Sequence, residues 1–398
     1  MHPVEDIRGS KSQILKGKII ILAVTGSIAA VETIKLSREL ICHGAEIIPV
    51  LSPSAIKFVH PDSLWFATGK KPIIELTGET EHVSYIGKVK KPADMLLICP
   101  CTANTISKIA NGIDDTNVTT FATTAIGSKK PVIIVPAMHL SMYENKIIQK
   151  NIKKIKDINI TFIEPLIEKN KAKMPDITKI IANVIKNIGK QDLLDKKILV
   201  IGGPTSEKID EIRCITNRSS GKTAVSLAKN AFFRGADVEL WYGLGSEPVP
   251  NYISKTDFIS INDILKLITR NNLKIYDSII LCAAISDYIP LRHKGKISSE
   301  KEKLIIKLKK APKIISLLRK KSPNSKIIGF KVEDKKDKLP NKAENLLKNN
   351  KLDYVIGNTI SGFESKENKI WIFDKNRKTF YKKGKKDNLS NIILDLIK

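Results

Sequence analysis

Short, uninterrupted apolar runs alternate with amphipathic stretches along this chain, and that pattern limits its fold more than any other feature. A strand that is apolar on both faces needs cover on both sides, which parallel sheets obtain from crossover helices. In the first half the runs are Ile19–Val24, Glu46–Leu51, Met95–Pro100 and Val132–Val135, each entering a loop rich in Gly, Ser, Thr or Pro. Between the first two, Ala29, Ala30, Ile34, Leu36, Leu40 and Ile41 share one side of a helix. Glu32, Lys35, Arg38 and Glu39 take the other side, and Gly44 is the stop. The fold class is therefore α/β. From about Lys153 to Lys197 the chain becomes rich in Lys, Asn and Ile, with one helical pattern of Ile177, Ile180, Ile181, Val184, Ile185 and Ile188 ended by Gly189. The domain boundary is expected just after it, giving domains 1–190 and 191–398. The second set of strands is expected at Ile198–Ile201, Val238–Trp241, Ser278–Ala283, Ile327–Phe330, Tyr354–Ile356 and Ile370–Phe373. With 42% hydrophobic residues in 398, each half can bury a core of its own. The halves also echo one another, since His43-Gly44-Ala45-Glu46-Ile47 and Arg234-Gly235-Ala236-Asp237-Val238 each join a helix end to the next strand.

Open parallel sheets bind ligands at the carboxyl edge of their strands. A P-loop is excluded there, because Gly221-Lys222-Thr223 has Thr216 where the first glycine belongs, and neither opening loop fits G-x-G-x-x-G. Thr25-Gly26-Ser27 nevertheless follows a buried strand and opens a helix, a setting that suits a phosphate monoester such as that of FMN. Taken alone this loop is a weak signal, because Ser27 reads as an ordinary helix N-cap. Ser52-Pro53-Ser54 and Thr102-Ala103-Asn104-Thr105 bring further hydroxyls and amides to the same edge, which makes capping alone the weaker reading.

Lys+Arg 68 against Asp+Glu 41 leaves a net charge of +27, a balance suited to nucleic acid, a membrane surface or small polyanions. No apolar run reaches the ~20 residues of a spanning helix, and the first thirteen residues lack a secretory apolar core. A cytoplasmic protein is expected. Five cysteines (Cys42, Cys99, Cys101, Cys214, Cys282) without a C-x-x-C pair are read as reduced thiols.

Taken together, AVTGSIAA, the His82 segment EHVSYIGK, ICPCTANTISKIANG and VPAMHLSMY resemble the flavin-dependent decarboxylases that act on cysteine-derived thiols. GGPTSEKIDEIRCITNRSSGKTA, LCAAISDY, HKGKISSEK, IIGFKVED and LDYVIGN resemble, in order, a ligase family. Joined in one chain, they resemble the bifunctional phosphopantothenoylcysteine decarboxylase/phosphopantothenate–cysteine ligase family of coenzyme A biosynthesis. The resemblance implies two Rossmann-like domains, a flavodoxin-like flavoprotein domain followed by a ligase domain. It implies ligation of L-cysteine to 4'-phosphopantothenate through an acyl-nucleotide made from CTP (or ATP), with Mg²⁺ accompanying the triphosphate. FMN-dependent decarboxylation to 4'-phosphopantetheine then follows.

Site residues carry over by motif. His82 matches the family's proposed base. FMN contacts are expected from Gly26, Ser27, Ser52, Thr102, Ala103, Asn104, Thr105 and Ala137. His139 stands where many members have the Asn of P-A-M-N and would hold the substrate carboxylate. Lys296 matches the catalytic lysine, Asn217 the residue holding the acyl-nucleotide carbonyl, and Arg213 a phosphate partner. Leu281, Cys282, Ala283, Asp287, Phe330, Lys342 and Lys348 are expected nucleotide contacts. The flap Glu164 to Met174 contains no cysteine where the family usually carries its proton donor. Cys101 is the replacement candidate, with Glu168 and Lys171 as alternatives. Trimeric flavin domains and dimeric ligase domains are also implied. Two other readings compete: a ligase-only homologue with a degenerate flavin domain, and a nucleic-acid-binding protein using basic runs such as KLKKAPK and YKKGKKD. Neither nucleic acid nor membrane is an expected partner, because no recognised nucleic-acid module accompanies the basic runs.

Overall fold

The structure is a computed structural model describing residues 2–158, 160–298, 302–359, 367–376 and 379–398. It divides into two compact units, Met1–Lys190 and Gln191–Lys398.

In the first unit, five parallel strands lie in the order Glu46–Leu51, Ile19–Val24, Met95–Cys101, Val132–Pro136 and Thr161–Phe162. Residues 20–24 and 95–99 are fully buried, as strands covered on both faces must be. The expected helix after the first strand is present but starts as a 3₁₀ turn, Ile28–Glu32, before becoming the α-helix Thr33–Cys42. Ser27 caps that turn by accepting the Ala29 N–H, and the tight first turn leaves Ile28 and Val31 facing outward. Phe121, on the helix Asn117–Gly127, is fully buried against the sheet and contributes about 1.5–3 kcal/mol by leaving water.

The second unit has an eight-stranded sheet in the order Ser254–Asp257, Asp237–Tyr242, Lys197–Gly202, Ser278–Leu281, Lys326–Glu333, Tyr354–Thr359, Glu367–Asp374 and Thr379–Lys385. Six strands are parallel, Glu367–Asp374 runs antiparallel to them, and Thr379–Lys385 pairs antiparallel with it in turn. The echo between the units is structural as well as sequential. Ala45 N–H bonds Leu40 O at 3.2 Å and Ala236 N–H bonds Ala231 O at 3.1 Å, so both helix ends close alike. An aspartate just ahead of the strand Met95–Cys101 or Ser278–Leu281, Asp94 or Asp277, accepts the backbone N–H of the first strand of its unit, Ile19 or Lys197, at 2.8 Å. In a sheet whose strands run in parallel, such a carboxylate satisfies an amide at the amino edge that no neighbouring strand reaches.

Candidate active sites

At the carboxyl edge of the first sheet, one threonine joins two loops. The Thr25 hydroxyl donates to Pro100 O at 2.8 Å and accepts the Thr102 N–H at 3.0 Å. Gly26 then passes so close to the next loop that a Cβ would lie 2.5 Å from Ser54 Cβ, which is why this position has no side chain. Beside these loops opens a cleft of about 1130 Å³ whose walls include Gly26, Ser27, Thr102, Ala103, Ala137 and His139. Six of the residues expected from sequence are thus brought together. Three expected FMN contacts are not in its walls. Ser52 accepts the Ala55 N–H at 3.2 Å, Thr105 is tied to the Thr102 hydroxyl, and Asn104 is exposed beyond them.

The flap is a β-hairpin. Leu166–Glu168 pairs with Lys171–Lys173, which pairs in turn with Met138–His139, so that His139 and Lys171 are directly opposed across the ladder. Lys171, Ala172, Lys173 and Met174 form part of the cleft wall. Lys173 is held by Glu168 at 2.8 Å. Cys101 lies elsewhere. It is fully buried within the apolar cluster of Ile98, Ile106 and Phe121, and burial pushes its thiol well above the ordinary range. Cys101 also forms no part of the cleft wall. Cys101 is therefore not placed in this cleft to supply the proton; of the flap alternatives, Lys171 is in the wall and Glu168 is not. His82 sits on the short helix Glu81–Ile86 and is absent from its own chain's cleft, yet its Nδ1 is shielded from water with no partner among the described residues.

FMN fits the cleft on an observation independent of motif. The backbone N–H groups of Gly26, Ile28 and Ala103, all in its walls, have no acceptor among the described residues, and they belong to two helix starts.

In the second unit the carboxyl edge carries a cavity of about 860 Å³. Asn217, Cys282, Ala283 and Phe330 line it as expected from sequence. Asn217 is fixed by donating to Ala284 O at 2.8 Å. The helix Lys222–Phe233 opens onto the cavity behind Gly221, whose φ of +76° and approach to Tyr242 leave no room for a Cβ. Sequence reasoning missed Lys386, Asn358 and Asn368, which line the same cavity from the far end of the chain. The Lys386 ammonium is depressed by burial and then by the charge of Lys222, and Asn358 Oδ1 is buried without a partner among the described residues. Two lysines facing one space call for a polyanion.

The remaining expectations are not in these walls. Leu281 is buried in the core beneath the cavity, and Asp287 pairs with Lys313 at 2.6 Å on the surface. Lys342 pairs with Glu333 at 2.9 Å, and Lys348 lines a separate small hollow with Glu344. Arg213 and Lys296 lie together but away from the cavity. The strand Cys214–Thr216 leads from Asn217 toward Arg213, and Arg213 donates to Ile297 O at 3.3 Å.

These two sheets define two successive α/β domains, each with a cavity at the carboxyl edge of its strands. Residues 8–189 match the Flavoprotein family, and residues 193–398 match the DNA/pantothenate metabolism flavoprotein C-terminal domain. The chain is 42% identical over 375 residues to the coenzyme A biosynthesis bifunctional protein CoaBC of Thermococcus kodakarensis, covering 93% of this chain and 92% of that one. It is 40% identical over 366 residues to the protein of the same name from Methanocaldococcus jannaschii, covering 91% and 88%. The chain belongs to the family of bifunctional CoaBC proteins of coenzyme A biosynthesis, and is a phosphopantothenoylcysteine decarboxylase joined to a phosphopantothenate–cysteine ligase. Among the described residues no helix is long and apolar enough to cross a membrane.

Proposed function

We propose that residues 191–398 make the amide between 4'-phosphopantothenate and L-cysteine, and that residues 1–190 decarboxylate the product to 4'-phosphopantetheine, both in the cytoplasm. The observation that carries this reading is the pair of carboxyl-edge sites. One has free helix-start amides suited to a flavin phosphate, and the other has converging lysines suited to a triphosphate.

In the ligase, CTP is the expected nucleotide, and Mg²⁺ would travel with its phosphates, shedding few waters to protein. The substrate carboxylate attacks the α-phosphorus and pyrophosphate leaves. Cysteine nitrogen then attacks the acyl carbon, releasing the nucleoside monophosphate. Lys296 would stabilise charge on the pentacoordinate phosphorus, and the Asn217 amide would hold the acyl carbonyl. Lys222 and Lys386 would receive the phosphate chain, and Arg213 the phosphate of phosphopantothenate.

In the decarboxylase, Gly26, Ser27, Thr102, Ala103 and Ala137 would hold FMN, which supplies a reversible two-electron acceptor when bound. His139 would orient the substrate carboxylate, and the hairpin Leu166–Lys173 would shield the cleft. His82 would act as base, taking up the substrate's proton on its imidazole. Because His82 is absent from its own chain's cleft, a neighbouring copy is proposed to supply it, in keeping with trimeric flavin domains. The separation of Arg213 and Lys296 from the cavity fits a dimeric ligase domain in the same way.

Few core elements need to cross residue 190 if each unit holds its own sheet, so the pieces are expected to fold apart. Expressing 1–190 and 191–398 separately should yield a yellow protein with flavin absorption and a colourless protein that releases pyrophosphate from CTP when given 4'-phosphopantothenate. Flavin on the second piece, or aggregation of both pieces beside a well-behaved whole chain, would refute the assignment.

A further inference from the structure

One carboxylate in the ligase unit is placed between the two loops that the chemistry needs. Asp210 has a fully buried side chain at the end of the strand pair Ser206–Lys208 and Cys214–Thr216. On its own loop it accepts the backbone N–H groups of Ile212 at 2.8 Å and Arg213 at 2.6 Å, and the Arg213 guanidinium at 3.3 Å. Across 87 positions of chain it also accepts the Ile297 N–H at 3.1 Å, the amide directly after Lys296. The same junction is closed by His293 N–H to Ile209 O at 2.9 Å, Arg213 to Ile297 O at 3.3 Å, and Arg292 to Glu211 at 2.5 Å. These amide donors hold the Asp210 carboxyl down at about 2, so it stays an anion with every acceptor position available.

Among the contacts at this junction, the Asp210 carboxylate is the one that accepts backbone amides from both loops. We infer that Asp210 is a positioning residue that anchors the Lys296 loop to the Arg213 loop, setting the lysine ammonium at a fixed place relative to the guanidinium. Asp210 touches no reacting atom and acts through Lys296. The inference rests on the reading of Lys296 as the lysine of acyl-nucleotide formation. An Asn at 210 keeps the shape and the Oδ1 contacts to Ile212 and Arg213 but turns an NH₂ toward the Ile297 N–H, so the contact next to Lys296 is lost while the others at the junction stay. A shift of about 1 Å in a charge-stabilising group costs on the order of 10²-fold in rate.

The test is a double-mutant cycle on the full chain, read as single-turnover pyrophosphate release from CTP and 4'-phosphopantothenate without cysteine. Asp210→Asn should slow release by about 10²-fold, with the KM for CTP little changed. In a Lys296→Gln background the same substitution should cost less than about twofold, because the group it positions is gone. Equal losses in both backgrounds, or no loss in the first, would overturn the inference. If Lys296→Gln alone leaves release unchanged, it is the underlying reading that fails. A second test needs no variant. In the substrate-free wild type the Ile297 amide should exchange more slowly than the adjacent Lys296 amide, which has no acceptor among the described residues. Equal exchange at the two amides would also overturn the anchor.

Discussion

Lys296→Gln in the full chain is expected to reduce pyrophosphate release in the absence of cysteine by about 10²- to 10³-fold, the usual cost of removing one group that stabilises transition-state charge. Gln is close in length and carries no charge. This loop is held through the Ile297 N–H and O, the His293 N–H and Arg292, and the substitution leaves these contacts in place. The triphosphate is assigned to Lys222 and Lys386 at the helix opening, so the KM for CTP should move little while the rate collapses. Single-turnover release with labelled CTP separates the two quantities. Release at the wild-type rate would take Lys296 out of the mechanism.

His82→Asn should lower decarboxylation of 4'-phospho-N-pantothenoylcysteine by about 10²- to 10⁴-fold, the range for loss of a positioned acid–base group. Asn can still hydrogen bond but cannot take up a proton near neutral pH. His82 is absent from its own chain's cleft, so bound flavin and its absorption spectrum should persist, and ligation in the other unit should be untouched. Measuring CO₂ release together with the flavin spectrum distinguishes this from a folding defect. Full activity would show that the buried Nδ1 is only a structural feature.

The parts of the fold visible in sequence are those in which one constraint dominates. Strands such as Ile19–Val24 and Ile198–Ile201 are covered on both faces, and nothing but a continuous apolar run satisfies that. Ser254–Asp257 was invisible, because an edge strand with four polar or charged residues has no apolar signature. Thr379–Lys385 has the basic run YKKGKKD and no apolar signature, and is the opposite edge, where Lys382, Lys383 and Lys385 discourage another chain from pairing. The flap hairpin was likewise too short and polar to read as strands.

The sites divide along similar lines. Gly26, Ser27, Thr102 and Ala103 were legible because a strand-to-helix loop gathers them within a few residues of chain. Lys386, Asn358 and Asn368 enter the second cavity through strand order, which no local spacing encodes. Cys101 shows the reverse problem, since neighbourhood in sequence to Thr102 does not say which side of the sheet receives the thiol. Lys342 and Lys348 carry the right charge on the helix Leu339–Asn350, but Glu333 and Glu344 hold them. Asp210 looks like an ordinary turn carboxylate until residues 87 positions away are seen bonded to it.

The central claim, two sequential reactions on one chain, is tested most directly by product stoichiometry. The full-length protein loaded with FMN is given 4'-phosphopantothenate, L-cysteine, CTP and Mg²⁺, and pyrophosphate, CO₂ and 4'-phosphopantetheine are measured together. Equal amounts of the three are expected. Pyrophosphate release with accumulation of 4'-phospho-N-pantothenoylcysteine and no CO₂ would contradict it, leaving a ligase with an inactive flavin domain.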